Sequence, residues 1–292
     1  MRDFKFLIMI IVLLVACPSF KRNPNLRLLL KEEGYSLLNP RWTKSGWVYY
    51  IRCYYEEFGN YGPGEIWRIK DNGQNNELIF SDSFFIMDIS PSETLLVTFR
   101  SEHYEMYSPL ILYNLKTAET ESLINTYYPS YIGLQFGFSD TFVYYEDNYG
   151  LHRINIYTKS DTVIVQDGVD YFDIYHDSLL YYAPLYHAPR IIDISTGTIV
   201  YESSNLWKGF FAQSKDSLLL VRERKDGLQL YDIKGDTLYI LDAAPYDLPI
   251  WNDVGNCIDF GSSGQKIIFS ATCQFLESGG GDLFELWILE EF

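Results

Sequence analysis

The feature that most limits how this chain can fold is a tight turn that recurs before a run of β-branched and aromatic residues. Aligned on that turn, the units begin at Gly46, Glu93, Asp140, Asp177, Asp216 and Gly264, with successive spacings of 47, 47, 37, 39 and 48 residues. A second register runs through Trp67-Arg-Ile69, Tyr113-Asn-Leu115, Ile154-Asn-Ile156, Ile192-Asp-Ile194, Tyr231-Asp-Ile233 and Trp287-Ile-Leu289, all apolar, polar, apolar. That is the period of a half-buried strand. Between the two registers each unit has room for four short strands, too few to bury a face alone, so the units must cover one another. With 17% aromatic residues, 25 of them Tyr, the composition favours strands, and no helical periodicity competes after residue 38.

These observations predict an all-β fold, a six-bladed β-propeller of four-stranded antiparallel blades. The last unit reaches Phe292 after three strands, whereas the others have a fourth at Glu77 to Phe80, Thr120 to Leu123, Thr162 to Val165, Thr198 to Tyr201 and Thr237 to Leu241. An open edge invites aggregation, so Leu26 to Leu30 is expected to supply the missing strand and close the ring. No linker or compositional break divides residues 26–292, which read as one domain.

The best-spelled unit carries a resemblance. Trp42-Thr-Lys-Ser-Gly46, Trp47-Val-Tyr-Tyr50 and Gly64-Glu-Ile-Trp-Arg-Ile-Lys-Asp-Asn-Gly73 resemble the TolB-like, WD40-like (PD40-type) propeller repeat, with Lys44-Ser45 where the family carries Pro-Asp. Phe260-Gly-Ser-Ser-Gly264, Lys266-Ile-Ile-Phe269 and Glu285-Leu-Trp-Ile288 repeat the pattern. The resemblance implies an envelope scaffold that holds protein partners at a propeller face.

Residues 1–16 read as a secretion signal. Arg2 and Lys5 precede the apolar run Phe6 to Ala16, too short for the about 20 residues of a membrane span, and Leu14-Val-Ala-Cys17 resembles the lipoprotein signal in which Cys17 is lipidated. Residues 17–25 then form a lipidated tether. The expected address is the outer membrane of a bacterial envelope, periplasmic or surface-exposed, with membrane contact through the lipid. Of the remaining thiols Cys53, Cys257 and Cys273, a disulfide between Cys257 and Cys273 is one arrangement and buried thiols the other.

Chemistry-bearing motifs are sparse. There is no Gly-x-Ser-x-Gly elbow, and Gly279-Gly-Gly281 precedes a strand where a phosphate loop needs a helix. Asp71-Asn-Gly73 lacks the alternating acidic ligands of a calcium loop and reads as a β-turn. His103, His152, His176 and His187 form no local ligand pair, and the cysteine spacing matches no zinc pattern. No cofactor, metal site or catalytic residue is assigned. A formal net charge of -16 excludes phosphate backbones, so nucleic acid is no partner.

The remaining asymmetry lies between the two ends of the strands. Turns joining first to second and third to fourth strands are short. The second-to-third and blade-to-blade connections carry Tyr54, Tyr55, Glu56, Glu57 and Tyr61; His103, Tyr104 and Tyr107; Tyr127 and Tyr128; the run Tyr181 to His187 with Tyr186 and His187; and Tyr246 and Trp251. Rigid aromatic bodies with polar tips suit protein-binding hot spots. The expected function is therefore a non-catalytic protein-binding scaffold with an envelope protein partner. The alternative is a glycan- or peptide-processing enzyme using the same aromatic face on a small-molecule or glycan ligand, with carboxylates paired across the pocket as acid and base; the neighbours Glu56 and Glu57 read as solvated loop residues.

Overall fold

The computed structural model describes residues 25–55, 61–82, 84–100, 107–127, 133–166, 168–175, 177–184, 188–202, 210–213, 218–224, 227–232, 237–241, 258–260, 266–274 and 283–290. Five strands open the chain: β1 (Leu26–Leu30), β2 (Tyr35–Trp42), β3 (Trp47–Tyr55), β4 (Tyr61–Lys70) and β5 (Glu77–Ser81). Next come β6 (Phe84–Ile89), β7 (Leu95–Arg100), β8 (Tyr107–Asn114) and β9 (Thr120–Tyr127), then β10 (Leu134–Phe136), β11 (Phe142–Asp147), β12 (Gly150–Asn155) and β13 (Asp161–Val165). The series continues with β14 (Val169–Tyr175), β15 (Leu179–Pro184), β16 (Arg190–Asp193), β17 (Ile199–Glu202), β18 (Phe210–Gln213), β19 (Leu218–Arg224), β20 (Gly227–Asp232) and β21 (Thr237–Leu241). It ends with β22 (Ile258–Phe260), β23 (Ile267–Gln274) and β24 (Leu283–Leu289). Consecutive strands pair antiparallel in fours, from β2–β5 to β18–β21, and the last sheet has the order β1-β24-β23-β22.

In that last sheet the N-terminal strand takes the outer position. Leu26 pairs with Leu289, Arg27 with Ile288 and Leu28 with Trp287. Leu29 turns inward and is buried, while Arg27 donates to Glu290 at 2.7 Å and to the Asp71 carbonyl at 2.7 Å. Lys31 meets the buried Glu285 at 2.6 Å. The two ends of the chain are thereby joined by backbone, core and ion pairs together.

Strands of this kind are apolar on both sides because each blade is covered on both sides. In β3, Val48 and Tyr50 enter one core with Leu29, Leu37 and Ile288, while Tyr49, Ile51 and Cys53 enter another with Met87 and Leu96. Strand β11 repeats this, with Val143 and Tyr145 on one side and Tyr144 on the other. Each fully buried aliphatic or aromatic side chain contributes about 1.5 to 3 kcal/mol. The outer strands β5, β13 and β17 are largely open to solvent instead, with Leu78, Val163, Ile199 and Val200 exposed.

The blade count is where the sequence expectation needs correction. Among the described residues, four core clusters join five sheets in succession. Leu37 and Ile288 link the last sheet to β2–β5, Leu38 and Leu96 link β2–β5 to β6–β9, Val97 and Leu134 link β6–β9 to β10–β13, and Tyr144 and Phe172 link β10–β13 to β14–β17. The described core thus makes five blades, not the six equivalent blades that the turn spacing predicts. The sheet β18–β21 is described by its backbone alone, with β18 adjoining β14. Turn spacing counts four-stranded units along the chain, whereas the number of blades in one packed ring depends on contacts between sheets, which spacing does not encode.

A polar belt ties the inner strands together near their short-turn ends. Arg41 Nε donates to Asp88 Oδ1 at 2.8 Å with both side chains buried, and the other carboxylate oxygen accepts the Phe136 N–H at 2.6 Å. Asn39, at φ 51°, accepts the Met87 N–H at 2.9 Å, and Gln135 Oε1 accepts that of Ile174 at 3.0 Å. One side chain per blade satisfies the backbone of the next. Leaving those buried amides unpaired would cost about 1 to 3 kcal/mol each.

Candidate protein-binding face

The two ends of the strands are built differently. On the short-turn side, three of the aligned turn residues reach back to the turn before them. Glu93 accepts both the N–H and the hydroxyl of Ser45, Asp140 accepts the Ser92 N–H at 3.1 Å, and Asp177 accepts the Phe138 N–H at 3.0 Å. Third-to-fourth turns are capped internally. Asn114, Asn155 and Asp193 each accept two successive backbone N–H groups, and Ala118, Lys159 and Gly197 take the left-handed conformation that closes the turn. Hydrogen bonding from Ser195 and Thr196 lowers the pKa of the Asp193 carboxyl. The unit spelled Lys70-Asp-Asn-Gly73 makes a β-turn, with Gly73 at φ 83° and its N–H donating to the Lys70 carbonyl at 2.8 Å.

The opposite end carries the aromatic residues. Tyr54 pairs with Tyr35 across β2 and β3, the rings meeting edge to face at 5.5 Å, and Tyr54 remains 55% exposed. Arg52 lies over the Tyr35 ring at 3.6 Å and pairs with Glu32 at 2.6 Å and with Glu65 at 3.2 Å. Burial opposes the charge on Arg52, but Glu32 raises its pKa, so it stays cationic. Glu65 also accepts the Trp67 indole N–H at 2.9 Å. This corner is therefore rigid beneath an exposed Tyr.

The backbone brings further predicted residues together in pairs. Tyr55 lies opposite Tyr61 at the end of the β3–β4 hairpin, and Tyr107 lies opposite Tyr127 at the end of β8–β9. Tyr107 is 53% exposed. Strand β9 runs on to Tyr127, beyond the expected Thr120 to Leu123, which carries this aromatic pair to the long-loop end. Glu56, Glu57, His103, Tyr104, Tyr128, Tyr186, His187, Tyr246 and Trp251 lie outside the described residues, as do Cys17 and Cys257. The run expected to begin a loop at Tyr181 starts inside β15, where Tyr181 and Tyr182 are buried. Their alternation with buried Leu180 reads equally as strand, and only packing distinguishes the two.

Sequence reasoning missed Tyr149. It sits with Asn148 at the tip of the β11–β12 hairpin, 65% exposed, on the same long-loop side as Tyr54 and Tyr107. The signal was present in Asp147-Asn-Tyr-Gly150, a two-residue hairpin loop flanked by strands. Gly150 is required there, since φ is +140° and a Cβ would lie 2.0 Å from the Val165 carbonyl. Exposed aromatics are not confined to this side, for Phe138 and Tyr157 lie on short turns.

Cys53 is a free, buried thiol whose pKa burial pushes up to about 12. Of Cys273 the structure describes the backbone in β23. Among the described residues, no group of three or more His, Cys, Asp or Glu side chains is arranged to hold a metal ion. What the long-loop end offers chemically is aromatic surface over a braced base.

No family model matches the chain, and no curated protein matches it. Solved structures do. TolB from Acinetobacter baumannii aligns with a TM-score of 0.60 at 12% identity, covering 84% of this chain and 64% of TolB, so the chain spans less than two thirds of that protein. The nidogen/laminin complex aligns at a TM-score of 0.56 and 11% identity, covering 73% of this chain and 83% of the matched one. The β-propeller domain of the trilobed protease from Pyrococcus furiosus aligns at 0.53 and 14% identity, covering 89% and 82%. At these identities the likeness establishes the β-propeller fold, with four-stranded antiparallel blades, as this chain's architecture.

Proposed function

We propose that this protein is a lipid-anchored envelope scaffold of the TolB-like, PD40 type, which binds a protein partner on its long-loop face and does not catalyse. The observation that carries the reading is the gathering of exposed Tyr54, Tyr107 and Tyr149 at one end of three consecutive blades, each on a hairpin fixed by the core beneath it. Large aromatics held rigid lose little entropy on binding and dominate interface energies. Structural likeness to TolB and to a propeller in the nidogen/laminin complex supports a protein ligand over a small molecule. In this reading residues 1–16 are a signal peptide, Cys17 carries the lipid at the outer membrane, residues 17–25 are the tether and 26–292 form the propeller domain, in which Cys257 and Cys273 either pair as a disulfide or stay buried thiols.

Crosslinking of the full-length protein in cells, followed by capture, tests it. Tyr54→Ala and Tyr107→Ala should each weaken the captured complex by about 1 to 4 kcal/mol, whereas Lys116→Ala, on an exposed short turn, should be neutral. Folded Tyr variants that bind as wild type while Lys116→Ala does not would place the functional surface on the other side. Cys17→Ser should abolish acyl labelling, and a labelled mutant would overturn the anchor.

A further inference from the structure

One histidine outside the predicted site sits in unusual company. His152, on β12, is buried, and both of its ring nitrogens face carboxylates, Nε2 to Asp147 Oδ1 at 3.1 Å and Nδ1 to Asp161 Oδ2 at 3.0 Å. A neutral imidazole has one N–H and one lone pair, so it satisfies one such carboxylate and opposes the other. Only the imidazolium donates to both. The ring also stacks on Tyr145 at 4.9 Å and 17°, which favours a cation over the aromatic face.

Asp147 has a second role. The same Oδ1 that meets His152 accepts the Tyr149 N–H at 2.7 Å, across the hairpin tip on the long-loop face. We propose that His152, held between Asp147 and Asp161, is a proton-dependent brace that sets the Tyr149 tip in place. The proposal rests on the protein-binding reading only for what the tip is used for.

The groups facing the ring are few. Strand β11 contributes Asp147 and Tyr145, and β13 contributes Asp161, which also bonds the Tyr145 hydroxyl. From the neighbouring blade, Phe99 packs edge-on to Tyr145 and is uncharged, while Glu121 is engaged by Lys159 at 2.7 Å. Burial lowers the pKa of His152, but the Asp161 hydrogen bond and the charge of Asp147 outweigh it, and the net shift is upward. A raised imidazole pKa means that the stabilisation is complete below the ordinary value of about 6.5 and is lost as pH rises through the higher folded value. On deprotonation Nδ1–H stays with Asp161, and the Nε2 lone pair is left facing Asp147. The Asp147 carboxylate, which accepts the Tyr149 N–H, then loses one of its two donors.

The test needs no partner, so its failure is separate from failure of the binding reading. In the full chain, the His152 ring and the Tyr149 amide are followed by NMR across pH 5 to 9, with exchange corrected for intrinsic pH dependence. The His152 titration should lie above about 6.5, and Tyr149 protection should fall about tenfold through it. His152→Gln should abolish that step while leaving Tyr54 and Tyr107 unchanged, and Asp161→Asn, which keeps the ring, should move the titration downward. A His152 titration at or below the ordinary value, or Tyr149 protection that is flat through it in the wild type, overturns the brace.

Discussion

The short-turn and long-loop ends of the propeller use similar residues for opposite purposes. At the short-turn end, polar side chains are spent within a blade or on a neighbouring one: Glu93, Asp140 and Asp177 on the preceding turn, Asn114, Asn155 and Asp193 within their own turns, and Arg41 with Asp88 in the belt just beneath. At the long-loop end, the described polar groups brace side chains, as Arg52 does Tyr35 and Asp147 does His152 while also accepting the Tyr149 N–H, and leave Tyr54, Tyr107 and Tyr149 exposed.

The contrast can be broken or sharpened by substitution. The largest effect should come from deleting residues 18–31, which removes β1, the buried Leu29 and the Arg27 to Glu290 bond. A loss of about 4 kcal/mol or more is expected by denaturant unfolding, and an unchanged midpoint would mean that β1 is no part of the closure. Next is Arg41→Ala, which leaves Asp88 buried without its cation. It should cost about 3 to 5 kcal/mol, and burial already pushes the Asp88 carboxyl pKa upward despite Arg41 and the Phe136 amide.

Gly150→Ala tests the tightly built β11–β12 hairpin on the long-loop side. With a Cβ forced onto the Val165 carbonyl at φ +140°, it should destabilise by about 2 to 4 kcal/mol; a neutral result would show that the tip is not held by its own backbone. Glu93→Ala removes a single exposed turn-to-turn staple and should cost about 0.5 to 1.5 kcal/mol by thermal melting. Smallest of all, Tyr107→Ala should change stability by less than about 0.5 kcal/mol, because half of the side chain is already in water. A larger loss would make it a core residue and remove it from the binding face.

The residues themselves show why some of this was legible and some was not. Strand positions followed from local alternation and turn chemistry, so Glu77 to Phe80 and Thr237 to Leu241 match β5 and β21 within a residue, and Leu26 to Leu30 could be matched to an open edge. The turn residues Glu93 and Asp177 were visible as turns. Their carboxylates bonding the preceding blade were not, because that contact joins residues 48 and 39 positions apart and depends on how the blades are rotated together. Tyr181 read as loop and lies in the core, while Tyr149 read as nothing and is exposed. A Tyr carries the same letter in both places.

What the sequence by itself determined is the four-stranded antiparallel unit, its repetition and the strand that completes the last sheet, since these rest on period-two alternation, turn residues and an unpaired edge, all properties of neighbours along the chain. Tertiary structure alone decided how many units share a packed core, which aromatics face water, and that His152 lies between two carboxylates. Those outcomes depend on desolvation by residues far away in sequence, and burial is a property of the assembled fold, with no local spelling.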